Sequence, residues 1–278
     1  MDIIWQWFTA PLQFQFMVQA LFVSVLVGVI CAVLSCYLTL KGWALMGDAV
    51  SHAVLPGVVL AYGLQIPLAL GAFVFGLGSV LLIGLIKART RVKEDAAIGL
   101  VFTGFFALGL VLISKLPSNI DLMHILFGNL LGISPENLIQ TIVIAIITSV
   151  VLFIFRKDLL LFCFDPIHAK SIGLNTTFLY YLLLIILALT IVAAQQTVGI
   201  ILVIAMLITP GSTAYLLTDD FDRMTILAVI STVFSSVLGT YLSYHFDASP
   251  AGCIVVLQTL LFVVVMIFAP KYGLIAKR

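Results

Sequence analysis

The chain has 278 residues, 63% of them hydrophobic and only 9% charged, with a net charge of +1. A soluble domain is about half apolar and about a quarter charged, so 13 Lys+Arg and 12 Asp+Glu cannot clothe a water-soluble globule of 30.2 kDa. With mean hydropathy at +1.28, the composition excludes a soluble enzyme and implies a membrane protein whose first partner is the lipid bilayer.

In chain order, residues 1–15, with Trp5, Trp7 and Phe8, read as an interfacial N-terminal segment, because aromatic rings favour the headgroup level. The first positive charge is Lys41, so the basic region of a cleavable signal is missing and the first apolar run is expected to be a retained span. Residues 16–278 then read as a single transmembrane domain. Its apolar runs are 16–40, 44–63, 66–86, 96–114, 138–155, 176–194, 199–218, 224–245 and 252–269. A spanning helix needs about 20 apolar residues. The fold expected is an all-α polytopic transmembrane helical bundle of eight or nine spans, nine being preferred. Nine spans take about 180 residues and leave no room for an ATPase or protease head. Only Gln65 separates the second and third runs, which predicts a tight hairpin. Residues 121–133 are too short to span and read as re-entrant or interfacial.

Of the 13 positives, 12 fall on one side of this arrangement and only Lys115 on the other. The positive-inside rule makes the crowded side cytoplasmic, with the N-terminus outside and the C-terminus inside. Net charge near zero and the lack of a basic stripe interleaved with aromatics speak against nucleic acid. Cys31, Cys36, Cys163 and Cys253 have no metal-finger spacing and read as packing residues.

Eleven of the 12 acids fall in loops or at span ends; Asp48 alone lies inside an apolar run. His52 follows four residues later, on the same helix face. An ionisable residue at membrane depth costs a few kcal/mol and marks function. Carboxylate and imidazole together suit a first-row divalent cation. Two ligands do not fill a coordination sphere; waters or a second copy would supply the rest. Two other readings stay open: Asp48 as a helix N-cap with His52 bonded to a backbone carbonyl, or a proton relay. Pro56-Gly57 and Pro210-Gly211 are the Pro-Gly pairs, one in each half. Interrupted membrane helices mark transport pathways, and packing kinks are the bland alternative.

No Gly-Lys dipeptide occurs, so a Walker A loop is impossible, and no G-x-S-x-G elbow is present. Energy then comes from a partner or an ion gradient. The chain itself reads as a transport subunit and not an enzyme, with no permanently bound cofactor. Around 164–174, Asp165 followed by Pro166 predicts an N-cap with Pro at the first helical position, and Gly173 a stop. Such a short helix under the membrane suits docking onto a cytoplasmic partner.

Met46-Gly47-Asp48-Ala49-Val50-Ser51-His52-Ala53-Val54-Leu55-Pro56-Gly57 resembles the signature of the permease subunits of ABC importers for manganese, iron and zinc. Leu126-Phe127-Gly128-Asn129, Ala205-Met206-Leu207-Ile208-Thr209-Pro210 and the pattern Asp165…Ala169…Gly173 resemble further motifs of that family. The resemblance implies the ABC importer permease fold, with a pathway formed by two permease chains, identical or paralogous. It implies two cytoplasmic ATPase subunits docked on coupling helices, and an extracytoplasmic metal-binding protein. Asp48 and His52 would then hold metal in transit, and Asp165, Ala169 and Gly173 would form the ATPase contact. The intact Ser-His-Ala-Val-Leu-Pro-Gly stretch resembles the manganese/iron branch, which makes Mn²⁺ and/or Fe²⁺ the expected cargo, with Zn²⁺ possible. A zinc-specific ABC permease and a proton-coupled secondary metal carrier are the competing readings. His124 and His245 fall on the outer side, as solvated residues or as metal receivers at the mouth; His168 and Met46 read as structural.

Overall fold

A computed structural model describes residues 10–115 and 130–276, and every described element is helical. After a 3₁₀ turn at Pro11–Gln13 come α1 (Gln15–Lys41), α2 (Met46–Ala53), α3 (Leu55–Gly63), α4 (Leu68–Arg89), α5 (Glu94–Lys115) and α6 (Pro135–Ile154). Then follow α7 (Arg156–Phe164), α8 (Pro166–Ser171), α9 (Thr176–Val198), α10 (Ile200–Tyr215), α11 (Phe221–Phe246) and α12 (Pro250–Phe268). Backbone polar groups cannot be left unpaired in hydrocarbon, so helices are the form an apolar chain of this kind takes.

Among the described residues, seven helices (α1, α4, α5, α6, α9, α11 and α12) are long and apolar enough to cross a membrane. The expected count of nine differs in two places. The run 44–63 is divided into α2 and α3, of eight and nine residues, and the run 199–218 contributes a helix of 16 residues. The physical reason for the first is Pro56. It has no N–H to give to the carbonyl of His52, four residues back, and its ring crowds that carbonyl. The Val54 N–H turns to the His52 carbonyl instead, and a new helix begins with Pro56 in its first turn. In the second case, α10 runs unbroken through Pro210, so the expected interruption there is absent. The break lies at Gly199, whose φ of 86° belongs to the left-handed region that glycine tolerates.

Of the described residues, those within Leu40–Leu122 and Ile146–Ala193 form one compact unit. In it α3 and α4 make the expected hairpin, turned at Gln65 with φ 56°. A Cβ added at Gly57 would fall on the Gly71 carbonyl oxygen, and one at Gly71 on the Gly57 carbonyl oxygen. The two backbones are thus in contact, as small residues allow in membranes. The α2 and α3 helices both pack on α5. Buried Thr148 and Thr190 hydroxyls meet at 3.3 Å.

The residues within Met1–Thr39, Met123–Ala145 and Ala194–Arg278 form the second unit, where α10, α11 and α12 pack on one another. Here Pro210-Gly211 acts as a docking point for α1. The Ser35 hydroxyl accepts from the Gly211 N–H at 2.9 Å and donates to the Ile208 carbonyl at 3.4 Å. A Cβ at Gly211 would lie 2.5 Å from the Ser35 carbonyl oxygen. Asp220 caps α11 through the Asp222 and Arg223 amides, and Asp219 holds the segment after α12 through Lys271 and Tyr272. Those hydrogen bonds keep the Asp219 carboxyl below its ordinary range.

Gly57→Ala and Gly211→Ala should each cost about 1–3 kcal/mol, because the facing backbone must move. Gly104→Ala, with nothing within 4 Å of the new Cβ, should leave stability unchanged or raise it. Thermal unfolding of the three variants in detergent measures this; equal melting temperatures would contradict the close crossings.

Candidate metal centre

The α2 helix places Asp48 in its first turn and His52 in its last. Its other face is sealed into the unit: Met46, Gly47, Ala49, Val50, Ser51 and Ala53 are buried. The Ser51 hydroxyl is satisfied by the Gly47 carbonyl at 2.8 Å. Met46 is fully buried and is a packing residue here.

His52 Nε2 lies 3.3 Å from Asp48 Oδ1, and the side chains are 23% and 36% exposed respectively. Bonds of about 2.1 Å to one ion place neighbouring ligand atoms about 3.0 Å apart at 90° and about 3.4 Å apart at the tetrahedral angle. The observed separation falls between these, so the two atoms can bind a single cation with little rearrangement. The N-cap alternative for Asp48 does not match the helix: the cap position is Leu45, which makes no side-chain cap bond, and Asp48 lies inside the first turn. No group of three or more His, Cys, Asp or Glu occurs among the described residues, so these two side chains form an incomplete set.

Phe102 and Phe106, one turn apart on α5, stand around the imidazole with ring centroids at 5.3 and 5.4 Å. They restrict its rotation and remove water from one side of the ring. Sequence reasoning missed them; the signal was two aromatics four residues apart in the run 96–114, opposite a helix that carries a lone histidine.

The segment Asp165–Gly173 has local geometry of its own. Asp165 Oδ1 accepts from the Ile167 and His168 amides at 3.0 and 2.9 Å, with Pro166 opening α8. At the far end the Gly173 N–H donates to the Lys170 carbonyl and the Leu174 N–H to the Ala169 carbonyl, with Gly173 at φ 90°. This is a Schellman closure, which requires a left-handed residue at that position. Ala169 is fully buried while Ile167 and Phe164 are 83% and 76% exposed, so one face anchors and the other is presented outward. Cys163 beside this segment is buried, and burial pushes its thiol up to about 12, which leaves it a packing residue.

Pro56 and Gly57 lie directly after the Asp48–His52 helix, at the break; Pro210 and Gly211 lie in the other unit against Ser35. His245 lies in the last turn of α11, edge-on to Tyr244 at 5.3 Å, and His168 belongs to the α8 cap. Among the described residues, His124, Leu126-Phe127-Gly128-Asn129 and the aromatic segment 1–9 are not included.

Fold and site together define a polytopic helical membrane protein with one half-exposed carboxylate–imidazole pair on a broken helix. Residues 13–269 match the ABC 3 transport family, and the chain belongs to it. It is 65% identical over 274 residues to the manganese transport system membrane protein MntB of Synechocystis sp., covering 99% of this chain and 90% of that one. It is 53% identical over 266 residues to a probable iron transport system membrane protein of Haemophilus influenzae, covering 96% and 98%. Among solved structures, PsaBC from Streptococcus pneumoniae in complex with Fab is similar at a TM-score of 0.85 and 38% identity over 97% of both chains. A putative metal-chelate type ABC transporter in an inward-facing conformation, 20% identical with a TM-score of 0.71, shares the fold.

Asp165→Ala should remove both amide caps and cost about 1 kcal/mol locally. Hydrogen exchange at Ile167 and His168 should then quicken roughly fivefold; unchanged protection would show the cap to be dispensable.

Proposed function

We propose that this chain is the membrane-spanning permease subunit of an ATP-driven importer of divalent transition-metal ions, Mn²⁺ and/or Fe²⁺. The observation that carries the proposal is the 3.3 Å approach of His52 Nε2 to Asp48 Oδ1 on a helix broken by Pro56. A half-exposed carboxylate at membrane depth is tolerable only where it meets water or another protein chain. Carboxylate and imidazole select a borderline first-row ion over K⁺ or Ca²⁺. Manganese and iron relatives at 65% and 53% identity support this choice of cargo.

The two-ligand set is completed by water or by a second permease chain, identical or paralogous, brought to the same axis. The chain crosses the bacterial cytoplasmic membrane nine times, with α2–α3 and α10 as the two short crossings, the N-terminus outside and the C-terminus in the cytoplasm. An extracytoplasmic binding protein delivers the metal. The ion meets Asp48 and His52 beside Pro56 and Gly57 and leaves on the cytoplasmic side. Separate ATPase subunits grip α8 through its exposed face. Asp165, Ala169 and Gly173 make that helix stiff enough to transmit their movement.

Asp48→Ala or His52→Ala should reduce uptake of radioactive manganese into proteoliposomes to background while the complex still assembles. Wild-type transport in both variants would remove the pair from the pathway. Uptake that persists without the ATPase and follows a proton gradient would overturn the ATP-driven reading. Gly173→Val, forced into a backbone region that β-branched residues avoid, should weaken ATPase stimulation with metal binding unchanged.

A further inference from the structure

A cavity of about 370 Å³ opens in the unit of residues 40–122 and 146–193, with neither Asp48 nor His52 in its lining, which includes Lys41, Gly84, Lys87, Phe162, Thr176 and Tyr180. Its cations come from helix ends. Lys41 closes α1, Lys87 lies two residues before the end of α4, and Thr176 begins α9. All three helices are long and apolar enough to span, so the cavity sits where spans meet the headgroup layer. Gly84 makes the space: a Cβ there would already stand 3.1 and 3.2 Å from the rings of Tyr180 and Tyr181.

The charge is arranged but not consumed. Lys41 Nζ donates to the Phe162 carbonyl at 3.2 Å and lies 3.9 Å above the Phe162 ring. Lys87 Nζ pairs with Glu94 Oε2 at 2.5 Å. Each ammonium has three donors, so both keep donors beyond these contacts, and two lysines against one glutamate leave a positive balance. Trp43 stands edge-on to Tyr180 at 5.3 Å and beneath both ammonium groups, at 5.9 and 5.8 Å. Its indole N–H and the Tyr180 hydroxyl are buried without a hydrogen-bond partner among the described residues. Buried donors normally have acceptors. Glu94 Oε1 is likewise unpartnered, but one carboxylate oxygen cannot serve the Tyr180 hydroxyl, the Trp43 indole and the spare ammonium donors together; Lys41, Lys87 and Tyr180 line the cavity, and their remaining donors call for a further anionic oxygen acceptor.

The surroundings choose its source. Leu81 and Leu85, four residues apart and one turn before Lys87–Ala88, are exposed at 45% and 46%. They offer an apolar track running from the cavity into the span. Basic pockets between membrane helices bind anionic headgroups in this way. We infer that this cavity is a binding site for the phosphate headgroup of an anionic phospholipid, held by Lys41, Lys87 and Tyr180, with its acyl chains along α4. The site is independent of which ion the chain carries. It lies beside Phe162 and Pro166, so lipid binding braces the base of α8.

The test is native mass spectrometry of the intact transporter, released from vesicles of phosphatidylcholine alone or with a quarter phosphatidylglycerol. Wild-type protein should retain phosphatidylglycerol in preference to phosphatidylcholine. Lys41→Gln with Lys87→Gln should lower that retention on the order of tenfold, and Tyr180→Phe, which keeps the ring and the packing, should lower it partially. Lys157→Gln, an exposed cation on α7, should retain lipid like the wild type. Equal retention of both lipids would overturn the inference, as would a double variant that is monodisperse and still holds phosphatidylglycerol. Displacement of the lipid by millimolar inorganic phosphate would reassign the cavity to a soluble anion. Loss of the ATPase with lipid retention unchanged would reassign it to the partner.

Discussion

The absence of water from the hydrocarbon layer governs this structure. Each backbone N–H and C=O must find its partner inside the chain, and each charge must be excluded or given a purpose. The first demand makes every described element a helix. The second drives nearly all charge to helix ends. Departures from either rule are few, and at Pro56 the two coincide. The helix that carries Asp48 and His52 is the one that Pro56 breaks, eight residues long after a helix of 27. An unbroken helix would hold the His52 carbonyl in its ladder; with Pro56 in place it accepts from the Val54 N–H instead, beside the ionisable pair.

Small residues take up the role that apolar burial has in water. Lipid is as apolar as leucine, so helices gain little from hiding side chains and more from close approach. Gly57 against Gly71 and Gly211 against Ser35 show this, each with backbone near enough to leave no room for a methyl group. The two Pro-Gly pairs therefore serve different ends. In the first, proline breaks the helix and glycine lets the next helix pack. In the second, α10 stays whole and Ser35 supplies hydrogen bonds around the proline. Identical dipeptides give different geometry because only one of them has a hydroxyl from another helix beside it.

The helical class, the apolar runs and the Asp48–His52 spacing were legible in the sequence, since hydropathy and a four-residue period are local. So was the cap of α8, where Asp165, Pro166 and Gly173 each satisfy a backbone group within a few residues. Pro56-Gly57 also marked the interruption in the run 44–63, whereas the continuity through Pro210 and the break at Gly199 were not legible. Hydropathy averages over such points, and whether a proline bends or ends a helix depends on the neighbour that satisfies the freed groups.

Composition and motif, which do not depend on folding, place the chain among membrane proteins of the ABC 3 transport family and put Asp48 and His52 four residues apart in an apolar run. Helix packing was needed to show that Phe102 and Phe106 stand around the imidazole, and that Lys41 and Lys87 share a cavity with Tyr180. Phe102 and Phe106 are tens of positions from His52 in the chain, as Lys87 and Tyr180 are from Lys41. Only the packing of helices, set by where small residues let backbones touch, brings them within reach of one another.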